Sequence, residues 1–423
     1  MVELDSIEQL DLARYVRPGD TVVVGQACAT PAALCRRLVQ QRESFTRSRI
    51  FLGTDITGLF RPEHADHLDF LGFGAMPGSR ALAAAGLLDV LPVHYSALEP
   101  LVDTGHLACD VVLLQVGPAG PDGRYSPGPA CDYVMAAVRR ARTVIAQVNR
   151  TSPATCCDRA YTAGDFDCIV HVDEPCAQMA PAPPSEVDAR IAQHVVEHVP
   201  DGATLQVGIG GISEAVLAGL RHHRRLGIHS GMLGDGIVDL VDCGAITNEC
   251  KAVDAGASVA GVLIGSRRIL DFADRNDGVL LRPASRTHDL ATLARLPNFV
   301  SVNSALEVDL TGQVNAEELD GLLVGAVGGQ GDFVRGAAAA QGGRSIIALR
   351  STGRAATVSR VVARLRGPVT TPRSDVDLVV TEWGAADLRG KSMRQRSRAL
   401  VQIAHPMHRE ALGRAASGMG LLH

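Results

Sequence analysis

The chain is short of lysine and of aromatic residues. Its 423 residues include lysine only at Lys251 and Lys391, and 4% of them are aromatic. With a formal net charge of −5 and no basic run, it lacks the electrostatic footprint of a nucleic-acid-binding protein. We therefore expect no nucleic-acid partner, and any phosphate group must be bound mainly by arginine or backbone N–H groups.

Long apolar runs and an export signal are also missing. No stretch of about 18 apolar residues occurs, so we expect no membrane partner. The opening MVELDSIEQLDLARYV has early acidic residues and no apolar centre, unlike a secretory signal. The 10 cysteines form no Cys-x-x-Cys pair, which favours reduced thiols, no metal site and a cytoplasmic location.

What the chain does contain is one local pattern that occurs twice. The segments GDTVVVG (19–25) and GATLQVG (202–208) are both apolar runs that end in glycine. Each is followed by small residues and then by a segment with the apolar periodicity of a helix. This order of strand, tight loop and helix predicts duplicated α/β units.

A proline-rich stretch separates the two copies. Residues 180–184 read APAPP, which cannot continue a helix, and Ser185 is a good cap for a helix predicted to run to His198. We expect an N-terminal domain over residues 1–180 and a C-terminal domain over residues 185–423 that carries the ligand-binding loops. Each is long enough to bury its own core.

Five further segments are continuous apolar runs, which are typical of parallel strands covered on both faces. They are VVLLQV (111–116), TVIAQV (143–148), VAGVLI (259–264), SIIAL (345–349) and DLVVTE (377–382). The predicted fold class is α/β, with two doubly wound, mostly parallel-sheet domains related by internal duplication. Ligands then bind at the carboxyl ends of the strands.

Two glycine clusters are candidate ligand-binding loops. The first, residues 208–212, follows a predicted strand and opens a predicted helix, where free N–H groups suit an anion or a thioester oxygen. The second spans residues 325–333 and is followed by Arg335. The alternative for the first is a tight turn that needs small residues for packing, and the alternative for the second is a flexible loop that binds no ligand. Nicotinamide binding is disfavoured, because the spacing fits GxGxxG poorly and no acidic ribose partner is evident.

A predicted hairpin around Thr311-Gly312 is dense in carboxylates and amides. Residues of this kind usually satisfy the backbone groups of the turn itself, and we expect that role here. The pairs His222-His223 and His405-Pro406 are expected to be structural or solvated.

Six motifs in order carry a resemblance to a known family: LQVGIGGISEAVL, HSGMLGDGIVDLV, NSALEVDLTGQVNAE, GGQGDFVRGA, TPRSDVDLVVTEWGAADLRGKS and IAHPMHREAL. Together they resemble the acetyl-CoA hydrolase/transferase family, which includes 4-hydroxybutyrate and acetate CoA-transferases. The resemblance is densest over residues 200–412 and implies two α/β domains with acyl-CoA bound between them. It implies coenzyme A as a substrate rather than a permanent cofactor, and a homodimer or higher homo-oligomer. The CoA-binding positions that it implies are Gly208, Ile209, Gly210, Gly211, Ile212, Gly328, Gly329 and Gln330.

The resemblance fails at the residue that carries the family's chemistry. Members use a glutamate in a His-Ser/Thr-Glu-Met stretch, which forms a mixed anhydride and then a glutamyl-CoA thioester before an acid collects the CoA. Here the matching position is Gly231, although His229, Ser230 and Met232 are in place around it. The catalytic residue is therefore unknown.

The residues near Gly231 offer no clear replacement. Asp235 is the nearest acid in sequence and Glu249 is the next glutamate after it, and both match ordinary positions of the family pattern. We keep His229, Ser230 and Glu249 as nearby candidates.

Three functions fit these observations. In the first, water or a non-carboxylate acceptor attacks a bound acyl-CoA directly, using the space that the glutamate has left. In the second, CoA transfer between acids or acyl-CoA hydrolysis persists through another carboxylate, with Glu249, Glu214 and Glu307 as candidates. In the third, the chain is a non-catalytic CoA-binding protein.

Overall fold

The computed structural model describes residues 1–353 and 357–422 of the chain. Two large sheets dominate it, one from each half of the sequence. The strands of the first half are β1 (Val2–Leu4), β2 (Thr21–Val24), β3 (Ser48–Leu52), β4 (Leu68–Gly72), β5 (Leu88–Val90), β6 (Val111–Val116), β7 (Thr143–Asn149), β8 (Cys156–Cys157) and β9 (Cys168–Val172). Its helices are α1 (Ala32–Gln40), α2 (Arg80–Ala84), α3 (Leu98–Thr104) and α4 (Val134–Arg140).

The second half contains shorter strands and more helices. Its strands are β10 (Thr204–Val207), β11 (Gly227–Ile228), β12 (Met232–Leu233), β13 (Ser258–Ala260), β14 (Val262–Leu263), β15 (Val279–Leu281), β16 (Phe299–Ser304), β17 (Glu307–Asp309), β18 (Val314–Asn315), β19 (Glu318–Leu319), β20 (Leu322–Leu323), β21 (Arg344–Ala348), β22 (Val361–Val362), β23 (Leu378–Thr381) and β24 (Gly384–Asp387). Its helices are α5 (Glu186–Val196), α6 (Gly211–Gly219), α7 (Asp235–Asp242), α8 (Arg267–Ala273), α9 (Ala284–Thr287), α10 (Leu290–Ala294), α11 (Gln330–Ala339), α12 (Met393–Ile403) and α13 (Pro406–Gly418).

Both large sheets are mostly parallel, which confirms the predicted α/β fold class. The first has eight strands in the order β1-β9-β7-β6-β2-β3-β4-β5, all paired in parallel. The second has six strands in the order β11-β10-β16-β21-β23-β24, and only β24 is antiparallel. The continuous apolar runs in β6 and β7 are buried throughout, as expected for strands covered on both faces.

The duplicated strand-loop-helix unit is present in both halves. β2 leads through a short 3₁₀ turn to α1, and β10 leads through the first glycine cluster to α6. Between the halves, Ser185 caps α5 as predicted, since its Oγ accepts a hydrogen bond from the Asp188 N–H at 3.2 Å. α5 ends at Val196, two residues before the predicted end. We propose that the domain division lies in this linker, at residues 180–185.

One predicted strand is broken in two. The run over residues 259–264 forms β13 and β14, which pair with different strands, β15 and β12. The break falls at Gly261, whose N–H donates to the carbonyl of Gly231 at 3.0 Å and whose carbonyl accepts from the Cys131 N–H at 2.8 Å. Gly261 therefore ties the segment around Gly231 to the N-terminal half, a tertiary contact that the local pattern does not show.

The predicted hairpin is formed by β17 and β18, which pair antiparallel. The Asp309 carboxylate accepts from the N–H and the hydroxyl of Thr311 at 2.9 and 2.7 Å, and from the Gln313 N–H at 3.1 Å. The Asp309 carboxylate therefore accepts hydrogen bonds from its own turn, as the residue types predict.

Candidate active site

Gly231 lies between the two glycine clusters, and neighbouring residues of its segment face opposite ways. Ser230 and Met232 line a small cavity with Gly208 and Ile209 of the first cluster. A Cβ built on Gly231 points the other way, to Phe333 of α11, whose helix begins in the second cluster. The structure thus places Gly231 between the two segments that are predicted to bind CoA.

The first cluster leaves open space at two of its glycines. Gly210 has φ +111 and no atom within 4 Å of an added Cβ, and at Gly208 the nearest atom is the Ser213 Oγ at 3.7 Å. Gly211 differs, because its Cβ would meet the Asp188 carboxylate at 2.9 Å. α6 starts here without a side-chain cap, so its first N–H groups remain available to a ligand. A cavity of about 260 Å³ is lined by Ile209 and Gly210.

The second cluster is shaped largely by packing against protein groups. A Cβ on Gly329 would lie 2.7 Å from Nε2 of His288, and one on Gly331 would lie 2.5 Å from Cε1 of His94. Gln330 is buried, and its amide donates to the Thr371 Oγ1 at 2.9 Å. Gly328, with φ +51, has the most room. The CoA-binding role of Gly328 stays a prediction. At Gly329 and Gln330, contacts within the protein already account for the residue type.

His288 is the main residue of this region that the sequence did not single out. It follows α9 and precedes α10, and its ring packs between Tyr95 and Phe333 with centroid distances of 4.7 and 4.5 Å. A Cβ on Gly231 would lie 3.0 Å from both Cε1 and Nε2 of this ring. We expected an open space at position 231 in place of the glutamate. On the side to which a Gly231 side chain would point, that expectation is wrong, because the edge of the His288 imidazole lies there.

Burial keeps the two histidines of the site neutral near pH 7. The pKa of His288 is lowered to about 3, first by burial and then by the nearby His229. The pKa of His229 is lowered to about 4, first by burial and then by Lys251. The His229 ring lies near the carbonyls of Arg286 and Thr287, but neither ring nitrogen makes a hydrogen bond of normal geometry with the described residues.

The buried side chain of Lys251 supports the backbone that leads to His229. Its Nζ donates to the carbonyls of Ile228 and Ala257 at 2.8 and 2.5 Å, and burial lowers its pKa to about 7. Both contacts are to backbone oxygens, so this lysine fixes the path of the chain just before His229.

The N-terminal half contributes a buried polar group beside the same site. The Gln26 amide donates to the Tyr95 hydroxyl at 2.6 Å and also to the Asp132 carboxylate, and it accepts from the Thr54 N–H at 2.7 Å. Burial raises the pKa of Asp132 to about 6. No sequence motif marks Gln26, Tyr95 or Asp132, and only the packing of the two halves brings Tyr95, with its partner Gln26, against His288.

The candidate replacement carboxylates lie in different surroundings. Glu249 is exposed, with Arg225 at 4.0 Å, and Glu307 is buried in an ion pair with Arg366. Glu214 is half-buried, lines the cavities beside the first glycine cluster, and has a pKa raised by burial and then by Asp235. Of the three, Glu214 is the one that reaches a predicted CoA-binding loop.

The Asp235 carboxylate has a structural role. It accepts from the N–H groups of Ser266 and Ile269 at 2.9 and 3.0 Å. It therefore holds the start of α8 against α7, as expected for an ordinary position of the pattern.

Groups of metal ligands and membrane-spanning helices are both absent from the part of the chain that the structure describes. Within residues 1–353 and 357–422, no group of three or more His, Cys, Asp or Glu side chains is placed to hold a metal ion. In the same part of the chain, no helix has the length and apolar character needed to cross a membrane.

Comparisons with known proteins agree with this geometry. Models of the acetyl-CoA hydrolase/transferase N-terminal and C-terminal domains match residues 5–189 and 265–416, so that Gly231 lies between the matched ranges. A succinyl-CoA:acetate/propanoyl-CoA:succinate CoA transferase of Fasciola hepatica is 37% identical over 408 residues, which cover 95% of this chain and 85% of the relative. A 4-hydroxybutyrate coenzyme A transferase of Clostridium kluyveri is 38% identical over 336 residues, covering 79% and 78%.

Solved structures give the same result. The crystal structure of RipA from Yersinia pestis matches with a TM-score of 0.94 and 32% identity, covering 99% of this chain and 98% of that one. With two domain models, close relatives over most of its length and this structural match, the chain belongs to the acetyl-CoA hydrolase/transferase family.

Proposed function

We propose that the chain is an acyl-CoA enzyme in which the acceptor attacks the bound thioester directly, without a glutamyl-CoA intermediate. The product is an acyl-acceptor or, with water, a free acid. The observation that carries the proposal is the pair Gly231 and His288: the nucleophile position has no side chain, and an imidazole rather than a carboxylate lies against it.

The first glycine cluster supplies the binding side of the proposal. Gly208 and Gly210 leave room for the CoA thioester to approach the backbone, and the uncapped N-terminus of α6 offers N–H groups to the oxygen that becomes negative during attack. Stabilisation of that oxygen is often the largest single contribution to acyl transfer. Polarisation of this kind activates a thioester whether or not the protein forms a covalent intermediate.

A second candidate is CoA transfer between acids through another carboxylate. The relatives' names describe CoA transferases with carboxylate acceptors. The position of Glu214 beside Ile209 and Gly210 is the observation that favours this candidate in the present chain. We place it second because it asks a carboxylate from another part of the chain to take over the role of nucleophile, and Glu214 lies on α6 rather than on the segment of Gly231.

The test is release of CoA thiol from a panel of acyl-CoAs, each with water alone, with acetate and with a simple amine. We expect release with water or amine at a rate that acetate does not change. Release that depends on acetate would favour the second candidate. No release under any condition, with CoA still bound, would contradict both and leave a non-catalytic CoA-binding protein.

A further inference from the structure

We propose that Arg350 is a positioning residue for the first glycine cluster. It neutralises the buried Asp188 carboxylate beside the start of α6, and this lets the first N–H groups of that helix stabilise negative charge on the thioester oxygen. The inference rests on the polarisation of the thioester under the proposed function. Neither Asp188 nor Arg350 lies in the six sequence motifs.

The Asp188 carboxylate packs against the first residue of α6. A Cβ on Gly211, where the helix begins, would lie 2.9 Å from Oδ2 of Asp188 and 3.5 Å from its Cγ. At the preceding residue, Gly210, an added Cβ meets no atom within 4 Å. The Asp188 side chain is 1% exposed. A buried negative charge is therefore in contact with the same helix start that leaves room for a ligand.

The local sequence explains the aspartate but not its cation. Oδ2 of Asp188 accepts from the N–H and the hydroxyl of Ser185 at 2.9 and 2.8 Å, which completes the capping box at the start of α5. Such a cap needs only an acceptor at this position. The arginine that balances the charge comes from a distant part of the chain.

Arg350 lies two residues after β21 and binds Asp188 through two parallel hydrogen bonds. Its Nε donates to Oδ1 at 2.9 Å and its Nη2 donates to Oδ2 at 2.7 Å. Burial acts to raise the pKa of Asp188, but the bonds from Arg350 and Ser185 hold that pKa below its ordinary value. Asp188 is thus ionised at neutral pH, and its charge is balanced by one guanidinium.

This balance matters because attack on a thioester places negative charge on its oxygen. The N-terminus of α6 favours a negative charge through its free N–H groups. An unbalanced carboxylate beside the same turn would repel that charge. At the effective dielectric of a partly buried site, two charges several ångströms apart interact strongly enough to change a rate by about 10- to 100-fold.

Other charged groups around α5 do not replace Arg350. Glu382 adds a second negative charge near Arg350, and its carboxylate accepts from the N–H and the hydroxyl of Ser351. Glu214 lies on α6 itself and has a raised pKa, so it also titrates as pH falls. Three further charged side chains lie beyond the other end of α5, near His198: Arg344, Asp377 and Asp387.

The experiment measures release of CoA thiol from acetyl-CoA, with water and with methylamine, from pH 8.5 to pH 5.5. Each rate of Arg350→Met is divided by that of the wild type, so that titration of the acceptor and of Glu214 cancels. At pH 8.5 we expect kcat to be lower by about 10- to 100-fold, with KM changed by less than about threefold.

The pH profile carries the sign of the effect. Without Arg350, burial is left to raise the pKa of the Asp188 carboxyl. As pH falls, that carboxyl becomes neutral, and kcat of Arg350→Met should approach the wild-type value. The double variant Asp188→Asn with Arg350→Met has no charge to balance, so its kcat should stay within about threefold of the wild type at every pH.

A second variant guards against misfolding, because removal of one partner of a buried ion pair is strongly destabilising. Arg350→Lys keeps the positive charge but loses the two parallel bonds. We expect it to fold, to lose kcat by less than about tenfold, and to show the pH profile of the wild type.

The matched control is an ion pair of the same geometry at the opposite edge of the second sheet. Arg389 donates from Nε and Nη2 to the buried Asp377 at 3.1 and 2.6 Å, just before β23. Arg389→Met should lower thermal stability but leave kcat and its pH profile unchanged.

A spectroscopic measurement reads the polarisation without turnover. The probe is the analogue of acetyl-CoA in which CH₂ replaces the thioester sulfur, with ¹³C in the carbonyl. Polarisation moves the carbonyl resonance downfield. We expect a downfield shift on binding to the wild type and to the double variant, and a smaller one on binding to Arg350→Met at pH 8.5.

The outcomes separate this inference from the proposed function. An active wild type matched by Arg350→Met at every pH would overturn the role of Arg350 and leave direct attack standing. An equal loss in Arg350→Met and in the double variant, independent of pH, would show that the pair only supports the fold and would overturn that role as well. A wild type that neither shifts the resonance nor releases thiol would overturn both.

Discussion

The imidazole of His288 stands against the face of Gly231 from which a side chain would project, with Cε1 and Nε2 3.0 Å from the ideal Cβ position. The two residues come from distant parts of the sequence and meet where the family's glutamate is expected. A side chain at position 231 would therefore have to share this space with an imidazole.

Restoring the glutamate alone should not restore CoA transfer. In Gly231→Glu the Cβ alone requires the His288 ring to move by a few tenths of an ångström, and the rest of the side chain needs further room. Overpacking of this kind typically costs about 1–3 kcal/mol of stability. We expect the single variant to melt at a lower temperature and to show no acetate-dependent exchange of CoA. The double variant Gly231→Glu with His288→Ala should fold better and gain ping-pong kinetics with carboxylate acceptors.

The control for this pair is His288→Ala alone, which has the same cavity but no glutamate and should show no exchange. Ping-pong exchange in the Gly231→Glu single variant at the level of the double variant would contradict the steric relationship between the two residues.

Two glycines of the first cluster should respond differently to alanine. At Gly210, φ +111 is strained for any side chain, so Gly210→Ala should lower the free energy of unfolding by about 1–3 kcal/mol. Gly208 has an ordinary φ and room for a methyl group, so Gly208→Ala should keep full stability. If acyl-CoA approaches this backbone, Gly208→Ala should raise KM for acyl-CoA about tenfold or more, equivalent to about 1.4 kcal/mol. An unchanged KM would mean that the loop is only a turn.

Substitution of Glu214 separates the two candidate functions. Under direct attack, Glu214→Gln removes a charge next to the cavity but no reacting group, and kcat should stay within about fivefold of the wild type. If Glu214 is the replacement nucleophile, the same change should abolish turnover. Glu249→Gln, at an exposed position 4.0 Å from Arg225, serves as the neutral comparison.

Stability should fall as pH falls below about 6.5. The folded-state pKa values of His288 and His229, about 3 and 4, lie below the ordinary value of 6.5, so the unfolded chain binds more protons in this range. Each histidine contributes a slope of about 1.4 kcal/mol per pH unit between its unfolded and folded pKa values. This stabilisation is complete above pH 6.5 and is lost progressively down to about pH 4 for His229 and about pH 3 for His288.

Other titrating groups near His288 require a difference measurement. Asp132, with its pKa raised to about 6, acts in the opposite sense as pH falls below 6, while Lys251 completes its titration near pH 7. Chemical denaturation of wild type and His288→Gln at pH 7 and pH 5 isolates one histidine. We expect the wild type to lose more stability than the variant; equal losses would show that His288 is protonated freely in the fold.

Much of the architecture was predictable because buried parallel strands produce continuous apolar runs. β6, β7, β21 and β23 lie where such runs occur, and the cap at Ser185 follows from its residue type. The break at Gly261 was not predictable, because it depends on backbone hydrogen bonds to Gly231 and Cys131.

The candidate site was predictable only in part. The order of the motifs located the two glycine clusters and Gly231. His288 was not recognised, because it stands next to Asp289, the cap of α10, in a stretch that resembles an ordinary helix start. Tyr95, Gln26 and Asp132 reach the site through packing between the two halves of the chain. The roles of the predicted site residues, the homodimer and the cytoplasmic location stay predictions.

Mass spectrometry of the intact protein during turnover tests the central claim most directly. The wild type is mixed with excess acetyl-CoA, quenched with acid while CoA thiol is being released, and weighed with and without hydroxylamine treatment. We expect thiol and acyl product to accumulate while the protein keeps its unmodified mass. A protein species heavier by an acetyl group or by CoA, formed at the rate of turnover and removed by hydroxylamine, would contradict direct attack.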